Sequence, residues 1–198
     1  MGGGDLRAIR QSIADGRADI IIQPIIGLRT SACYVFIRGG SCSDPKGRSG
    51  MTHLLEHLMT RSTRTYPGPA ALTKAIADLG ADLSAGTVKD FLFIGLRGEA
   101  GSLPFMLKLL AEMAWYPAWT SADVRTEKRI VLQENMQIQS NPDPFSRGQA
   151  ILESRLWGVE HPMGLPVEGV AEECRRIRYS ELVDHHQKLI GGCSLLFT

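Results

Sequence analysis

The chain has 198 residues, of which 43% are apolar and 22% charged, and its formal net charge is +1. These values are ordinary for a globular protein of one domain. The near-neutral charge argues against nucleic-acid binding, which usually needs a strongly basic surface. No apolar run approaches the roughly 18 residues of a membrane span, and the first residues carry no secretory signal pattern. We therefore expect a cytoplasmic protein without a membrane span or a nucleic-acid partner.

The four cysteines give no sign of a cysteine-based metal site. They stand at positions 33, 42, 174 and 193, and no two of them have Cys-x-x-Cys spacing. Cys33 and Cys193 lie in apolar runs, which is typical of buried thiols. Cys42 lies in a loop rich in glycine and serine, where a reactive thiol is one interpretation.

The first part of the chain predicts a helix, two strands and a long polar loop. Residues 6–14 carry a weak helical pattern, and residues 19–24 read as a short strand that ends at a proline. Residues 29–38 are apolar at successive positions, which predicts a strand buried on both faces. The turn-rich loop 39–47 then leads to a helix that begins near Gly50.

The remainder of the chain predicts several helices, one β-hairpin and a final strand. This mixture favours an α+β domain in which a mainly antiparallel sheet packs against several helices, with residues 1–198 forming a single unit. The final apolar run has no cap after it, so we expect a domain truncated at its C-terminus. The predicted helices are 70–79, 103–115, 120–139, 145–157 and 178–189, the hairpin is 81–96, and the last strand is 193–197.

The predicted helix from Gly50 carries the strongest functional signal. It holds His53, Glu56 and His57, which fall within roughly a 100° arc of a helix surface. Two imidazoles four residues apart can bind one metal ion, and a carboxylate beside them can act on a metal-bound water. The order His-x-x-Glu-His is the inverse of the His-Glu-x-x-His zinc motif. The alternative is that these are ordinary helix residues without a metal.

A catalytic zinc site usually needs a third protein ligand besides two histidines. The long helix predicted from residue 120 supplies Glu127 and Glu134, which are seven residues apart and therefore lie on one face. If this helix packs against the motif, Glu134 reaches the ion and Glu127 lies one layer further out. For Glu127 the alternative is a solvated helix face, where it pairs with Lys128 or Arg129.

These motifs resemble the zinc peptidase family of pitrilysin, insulin-degrading enzyme and mitochondrial processing peptidase. That family combines His-x-x-Glu-His with a glutamate ligand at the spacing that separates His57 from Glu134. A second family glutamate, two helical turns before the ligand, falls on Glu127. Other similar stretches are Gly40-Ser41, Tyr66-Pro67, Leu79-Gly80-Ala81, Thr87 with Asp90, and residues 161–169.

The resemblance implies a zinc metalloendopeptidase. One Zn²⁺ would be held by His53, His57 and Glu134, with Glu56 as the base that activates water. Glu127 would support catalysis by orienting either a ligand histidine or the long helix.

The resemblance also implies a substrate-binding strand that contains Ser84, Ala85 and Thr87. The family binds peptides by adding them to a sheet edge. Where it usually has Asn-Ala, this chain has Ser84-Ala85, so we expect a different polar contact near the scissile bond. The alternatives are that Ser84 only fills the strand, and that Thr87 and Asp90 only shape the hairpin.

Two hypotheses of function follow. Members of the family are built from paired, similar domains that close like a clamshell. The first hypothesis is therefore one half of such a peptidase, which cleaves unfolded peptides or leader segments together with a partner half-domain or a second copy. The second is a non-catalytic peptide-binding or scaffold subunit. The presence of both histidines and both glutamates of the metal motif favours the enzyme.

The other histidines carry no predicted chemistry. His161 reads as a loop residue. His185 and His186 read as an exposed pair on a helix, and adjacent helical positions do not face each other well enough to share one metal.

Overall fold

A six-stranded sheet forms the base of the fold in the computed structural model, which describes residues 8–13, 18–140, 143–192 and 195–197. The strand order is β1-β2-β6-β3-β5-β4, and only the β2–β6 pair is parallel. This arrangement confirms the α+β class with a mainly antiparallel sheet. The strands are β1 Ile9–Ile13, β2 Ala18–Ile22, β3 Thr30–Arg38, β4 Asp82–Thr87, β5 Phe91–Glu99 and β6 Leu195–Phe197.

Helices cover the face of this sheet on which the side chains of its central strands are buried. On β3 and β5 the buried side chains alternate with more exposed ones, and the buried set faces α1, α3 and α7. The pair Val35–Ile94 in the middle of the register is fully buried. The helices are α1 Met51–Met59, α2 Pro69–Asp78, α3 Leu103–Trp115, α4 Ser121–Ser140, α5 Pro144–Trp157, α6 Ala171–Arg176 and α7 Tyr179–Gly192.

Helix α1 lies at the centre of the core. Leu54, Leu55 and Leu58 are fully buried, and burying such a side chain stabilises a fold by about 1.5–3 kcal/mol. The predicted helix near Gly50 is thus confirmed, together with its apolar face. Because α1 contacts β4, β5, α4 and α7, its side chains are held in a fixed position.

The predicted helix over residues 6–14 is wrong, because residues 9–13 form strand β1. Ile9 and Ile13 are four residues apart, a spacing that places two side chains on one face of either a helix or a strand. The pairing of residues 9–13 with β2 selects the strand over the helix. The hairpin is supported by Arg10, whose Nη2 lies 2.7 Å from Oδ2 of Asp19 on β2.

Three further differences from the predictions concern the last third of the chain. The short helix α6 was missed, because six residues are too few to show a helical period. The loop after α5 contains a 3₁₀ turn, Pro162–Gly164. The predicted helix 178–189 continues as α7 through Gly192. The predicted break at residues 141–142 and the start of the last strand, residues 193–194, lie outside the described residues.

The predicted exposed pair His185–His186 is also wrong. His185 is 4% exposed, and its Nε2 lies 2.8 Å from Oγ1 of Thr52 on α1. His186 is half-buried against Trp119, and its Nε2 lies 2.8 Å from the carbonyl oxygen of Ala114. Both imidazoles therefore belong to the packing of α7 against the rest of the fold.

The described cysteines are free thiols. Cys33 and Cys174 are buried, as their sequence context indicates for Cys33. Cys42 is half-buried with its Sγ 3.0 Å from Sδ of Met163, and burial raises the pKa of the Cys42 thiol. A raised pKa lowers the thiolate fraction and so opposes a reactive role. Cys193 lies outside the described residues.

Within the described ranges, none of the helices combines the length and the apolar character that crossing a membrane requires.

Candidate metal centre

Helix α1 and helix α4 bring three metal-ligating side chains to one point. Nε2 of His53 lies 2.9 Å from Nε2 of His57, and each of these nitrogens lies 3.5 Å from Oε2 of Glu134. The three side chains form the metal-ligating cluster found in the described part of the chain. The two helices pack directly against each other, so a contact between distant parts of the sequence completes the set.

These distances fit a zinc ion. Ligand atoms about 2.05 Å from a tetrahedral ion lie about 3.3 Å apart, and the observed separations fall on either side of that value. Two imidazole nitrogens and one carboxylate oxygen are also the donor types that zinc prefers in catalytic sites. The Glu134 side chain is 39% exposed, so the cluster is open toward solvent on that side. The residues present therefore suit a three-ligand zinc site with a free coordination position.

Glu127 sets the orientation of the His57 ring. Its Oε2 lies 3.2 Å from Nδ1 of His57, and the residue is 5% exposed. An ionised carboxylate only accepts hydrogen bonds, so Nδ1 of His57 carries the proton. In the neutral ring, Nε2 then keeps its lone pair directed at Glu134 and His53, as metal binding requires. Glu127 is thus buried beside a ligand and not on a solvated face with Lys128 or Arg129.

Arg61 anchors Glu127, and sequence reasoning missed it. Its Nη1 forms an ion pair with Oε1 of Glu127, and its Nε donates to Oδ1 of Asp123 at 2.8 Å. Arg61 lies in the turn just after α1, two residues beyond Met59, so the period of the helix gives no signal for its position. The pair ties the end of α1 to the first two turns of α4.

The histidines differ in their affinity for protons. Burial and the neighbouring His57 lower the pKa of His53 to about 4. Burial also acts to lower the pKa of His57, but the hydrogen bond that His57 donates to Glu127 and the nearby carboxylates outweigh it and raise that pKa above its ordinary value. In mildly acidic solution His53 is therefore neutral while His57 is protonated.

This difference predicts the pH dependence of zinc binding. Both ligand histidines must be neutral to bind the ion, so between about pH 5 and pH 6 only His57 must lose a proton. The dissociation constant for zinc is then expected to rise about tenfold for each unit that the pH falls. Titration calorimetry in buffers of different ionisation enthalpy measures the protons released per zinc ion.

The expected count in that pH range is close to one proton per zinc ion. Glu56 also titrates near the site, so the same measurement on the Glu56→Gln variant removes its contribution. A count of two protons in both proteins would mean that His53 is protonated as readily as His57, and would contradict the different environments described above.

Glu56 is held by a threonine from the sheet. Oγ1 of Thr87 donates to Oε2 of Glu56 at 2.7 Å, and burial raises the pKa of the Glu56 carboxyl. Of the predicted substrate-binding residues, Thr87 is therefore joined to the motif itself. Ser84 and Ala85 lie earlier on the same strand, β4, where they pair with Gly95 and Ile94 of β5. In the described part of the chain, neither of them forms a hydrogen bond with the cluster.

Comparison with known proteins agrees with this architecture. The sequence profile of insulinase (peptidase family M16) matches residues 25–157, two thirds of the chain, and the chain therefore belongs to that family. An uncharacterised zinc protease of Mycobacterium tuberculosis (strain ATCC 25618 / H37Rv) is 24% identical over 179 residues. Subunit 1 of the mitochondrial cytochrome b-c1 complex of Mus musculus is 25% identical over 163 residues.

Solved structures share the fold. A protease from Helicobacter pylori matches with a TM-score of 0.83 and 19% identity over 96% of this chain and 46% of the other. The inactive domain of a peptidase M16 from Pseudomonas fluorescens matches with the same TM-score and 22% identity, over 97% of this chain and 46% of the other.

The matched relatives are longer than this chain. The alignment covers 90% of this chain but 40% of the mycobacterial zinc protease, and 79% of this chain but 32% of the mouse cytochrome b-c1 subunit. The chain thus corresponds to less than half of each relative.

Proposed function

We propose that the chain is the catalytic half-domain of a zinc-dependent endopeptidase, with residues 1–198 forming one unit. Its substrates would be unfolded peptides or leader segments. The observation that supports this most strongly is the convergence of His53, His57 and Glu134 with Glu56 beside them. A structural zinc site would be closed by a fourth protein ligand, whereas these three residues leave a side open.

The proposed mechanism assigns a separate task to each residue. When bound, the zinc ion supplies a Lewis acid that polarises the peptide carbonyl and lowers the pKa of water. Glu56 accepts the proton of the attacking water as the oxygen bonds to the carbonyl carbon. It then delivers that proton to the amine nitrogen as the carbon–nitrogen bond breaks. A raised carboxyl pKa suits both steps, because the group must gain and lose a proton near neutral pH.

Thr87 and Glu127 keep the reacting groups in place. The Thr87 hydroxyl donates to one oxygen of Glu56, which leaves the other oxygen free for water. Glu127 holds Nδ1–H of His57 and so keeps Nε2 directed at the site. Neither residue needs to touch the substrate to affect the rate.

Strand β4 is the proposed substrate-binding edge. Among the described strands it lies at the end of the sheet and pairs on one side only, with β5. Its other side offers unpaired backbone groups to an extended peptide. Because Thr87 at the end of this strand contacts Glu56, a peptide added along Ser84 and Ala85 would pass directly beside the catalytic carboxylate. Backbone pairing would supply affinity with little dependence on the side chains of the substrate.

The second candidate function is a non-catalytic subunit. One matched relative is named as a subunit of the mitochondrial cytochrome b-c1 complex, and one matched structure is described as an inactive domain. The intact cluster and the buried partner of His57 favour the enzyme, since a scaffold has no use for an oriented ligand set. A partner half-domain, or a second copy of this chain, would complete the cleft.

The proposal predicts one zinc ion per chain and cleavage of an unfolded peptide. Metal analysis of the purified protein and a cleavage assay with a quenched-fluorescence peptide test both parts, with His57→Ala as the variant that loses the ligand. The assay is run on the chain alone and with a candidate partner half-domain. Absence of bound zinc would contradict the metal centre. Bound zinc without cleavage in either preparation would support the non-catalytic alternative.

A further inference from the structure

The metal helix begins without a capping side chain of its own. Its N-cap residue is Gly50, in the left-handed conformation with φ of 84°. The first backbone N–H groups of a helix have no partner within the helix and need one elsewhere. In α1 these groups matter for function, because His53 is the third residue of the first turn.

The carboxylate of Asp44, in the loop before the helix, takes the place of the missing cap. Its Oδ2 accepts from the backbone N–H groups of Gly50 at 2.7 Å and Met51 at 3.2 Å. Its Oδ1 accepts from both the backbone N–H and the hydroxyl of Thr52, at 2.8 and 2.6 Å. The Asp44 side chain is 5% exposed, so the negative charge lies within the fold at the positive end of the helix dipole.

A second element secures the same contact. The Thr52 hydroxyl has one proton, which it gives to Asp44, so it accepts the Nε2–H of His185 at 2.8 Å. Helix α7 thereby holds the residue that directly precedes the ligand His53. The chain of contacts runs from Asp44 through Thr52 to His185, and it fixes the first turn of α1 from two directions.

We propose that Asp44 is a positioning residue of the metal centre, an inference that rests on the proposed zinc site. It fixes the first turn of α1 through three backbone N–H groups and the Thr52 hydroxyl, and thereby places Nε2 of His53 at the distance that zinc binding needs. The contrasting interpretation is a cap that only stabilises the fold. The two differ in whether metal affinity changes when the cap is altered in a protein that remains folded.

The first variant is Asp44→Asn, which keeps the volume but turns one acceptor into a donor that faces backbone N–H groups. We expect the dissociation constant for zinc to rise about tenfold, the size of effect that outer contacts of metal ligands usually have. Cobalt(II) added to the metal-free protein reports the geometry directly, and we expect its visible absorption bands to shift. Both measurements use the metal alone and do not depend on cleavage of a peptide.

A matched pair of variants covers the case in which Asp44→Asn does not fold. Thr52→Val has the same shape but no hydroxyl, and Thr52→Ser keeps the hydroxyl. We expect weaker zinc binding in the valine variant and wild-type binding in the serine variant. Met113→Ala is the stability control, because Met113 is fully buried on α3 and takes no part in the hydrogen bonds of Asp44 and Thr52, so its loss lowers the melting temperature without removing the cap.

The outcomes separate the two interpretations. Weaker zinc binding and altered cobalt spectra in Asp44→Asn and Thr52→Val, but not in Met113→Ala, support positioning. Wild-type affinity and spectra in the first two variants, with only a lower melting temperature, would overturn it and leave the zinc site intact. If the wild-type chain itself binds no zinc, the proposed function fails and this inference fails with it.

Discussion

Replacing Glu56 with glutamine is expected to abolish peptide cleavage while zinc stays bound. Glutamine has the same shape and accepts the hydroxyl proton of Thr87 as before, but it cannot take a proton from water. General acid–base catalysis contributes about 10²- to 10⁴-fold to rate, so kcat should fall by that factor. Because Glu56 is not one of the three clustered ligands, the zinc content should remain that of the wild-type chain.

The assay compares kcat with zinc content for three further variants. Glu172→Gln makes the same chemical change at an exposed position on α6 and should leave both values unchanged. Thr87→Val removes the donor to Glu56, whereas Thr87→Ser keeps it. A loss of rate in the valine variant alone would show that the hydroxyl orients the carboxylate. Undiminished cleavage by Glu56→Gln would exclude Glu56 as the base.

The sequence predicted which side chains cluster because, in a regular helix, the spacing between two residues determines whether they lie on the same face. Residues 53 and 57 share a face of α1, and residues 127 and 134 share a face of α4, whatever the rest of the fold does. The packing of one face on the other did not follow from periodicity. It was inferred from the resemblance to a peptidase family, and the distances between His57, Glu127 and Glu134 now describe it.

The supporting residues of the site were harder to predict because their contacts cross between elements. Asp44 stands in a polar loop, and its partners belong to a helix that begins several residues later. The sequence predicts His185 as one of an exposed helix pair, whereas the structure buries it against Thr52. Its role depends on where α7 packs, which local pattern does not specify. A capping carboxylate was nevertheless to be expected, since Gly50 provides no side chain for the start of α1.

The same reasoning explains the error in the first strand. Residues 9–13 have a pattern that suits a helix and a strand equally, and the pairing partner β2 decided the outcome. Propensity is a weak guide where a sheet offers an edge. Around the metal centre, by contrast, pattern and tertiary contacts agree, and α1 and α4 form where the sequence places them.

Removing Glu127 is expected to weaken both zinc binding and the fold. The carboxylate is shared by Nδ1 of His57 and Nη1 of Arg61. In Glu127→Ala, His57 loses the group that fixes its tautomer, so zinc affinity should fall about 10- to 100-fold. Arg61 loses one of its two carboxylate partners. We expect the free energy of unfolding to fall by about 1–3 kcal/mol, the usual cost of leaving a buried hydrogen-bonding group without its partner, because Asp123 still pairs with the arginine.

Two variants separate these effects. Glu127→Gln keeps an oxygen that accepts from Nδ1–H of His57 but has no charge for Arg61, so it should bind zinc better than Glu127→Ala. Asp123→Asn weakens the other Arg61 contact without touching His57, so it should lower stability and leave zinc affinity unchanged. Chemical denaturation of the metal-free protein measures the free energy of unfolding, and competition with a chelator measures the zinc affinity. Wild-type zinc affinity in both Glu127 variants and in Asp123→Asn would mean that the orientation of the His57 ring is fixed by the packing of α1 and not by Glu127.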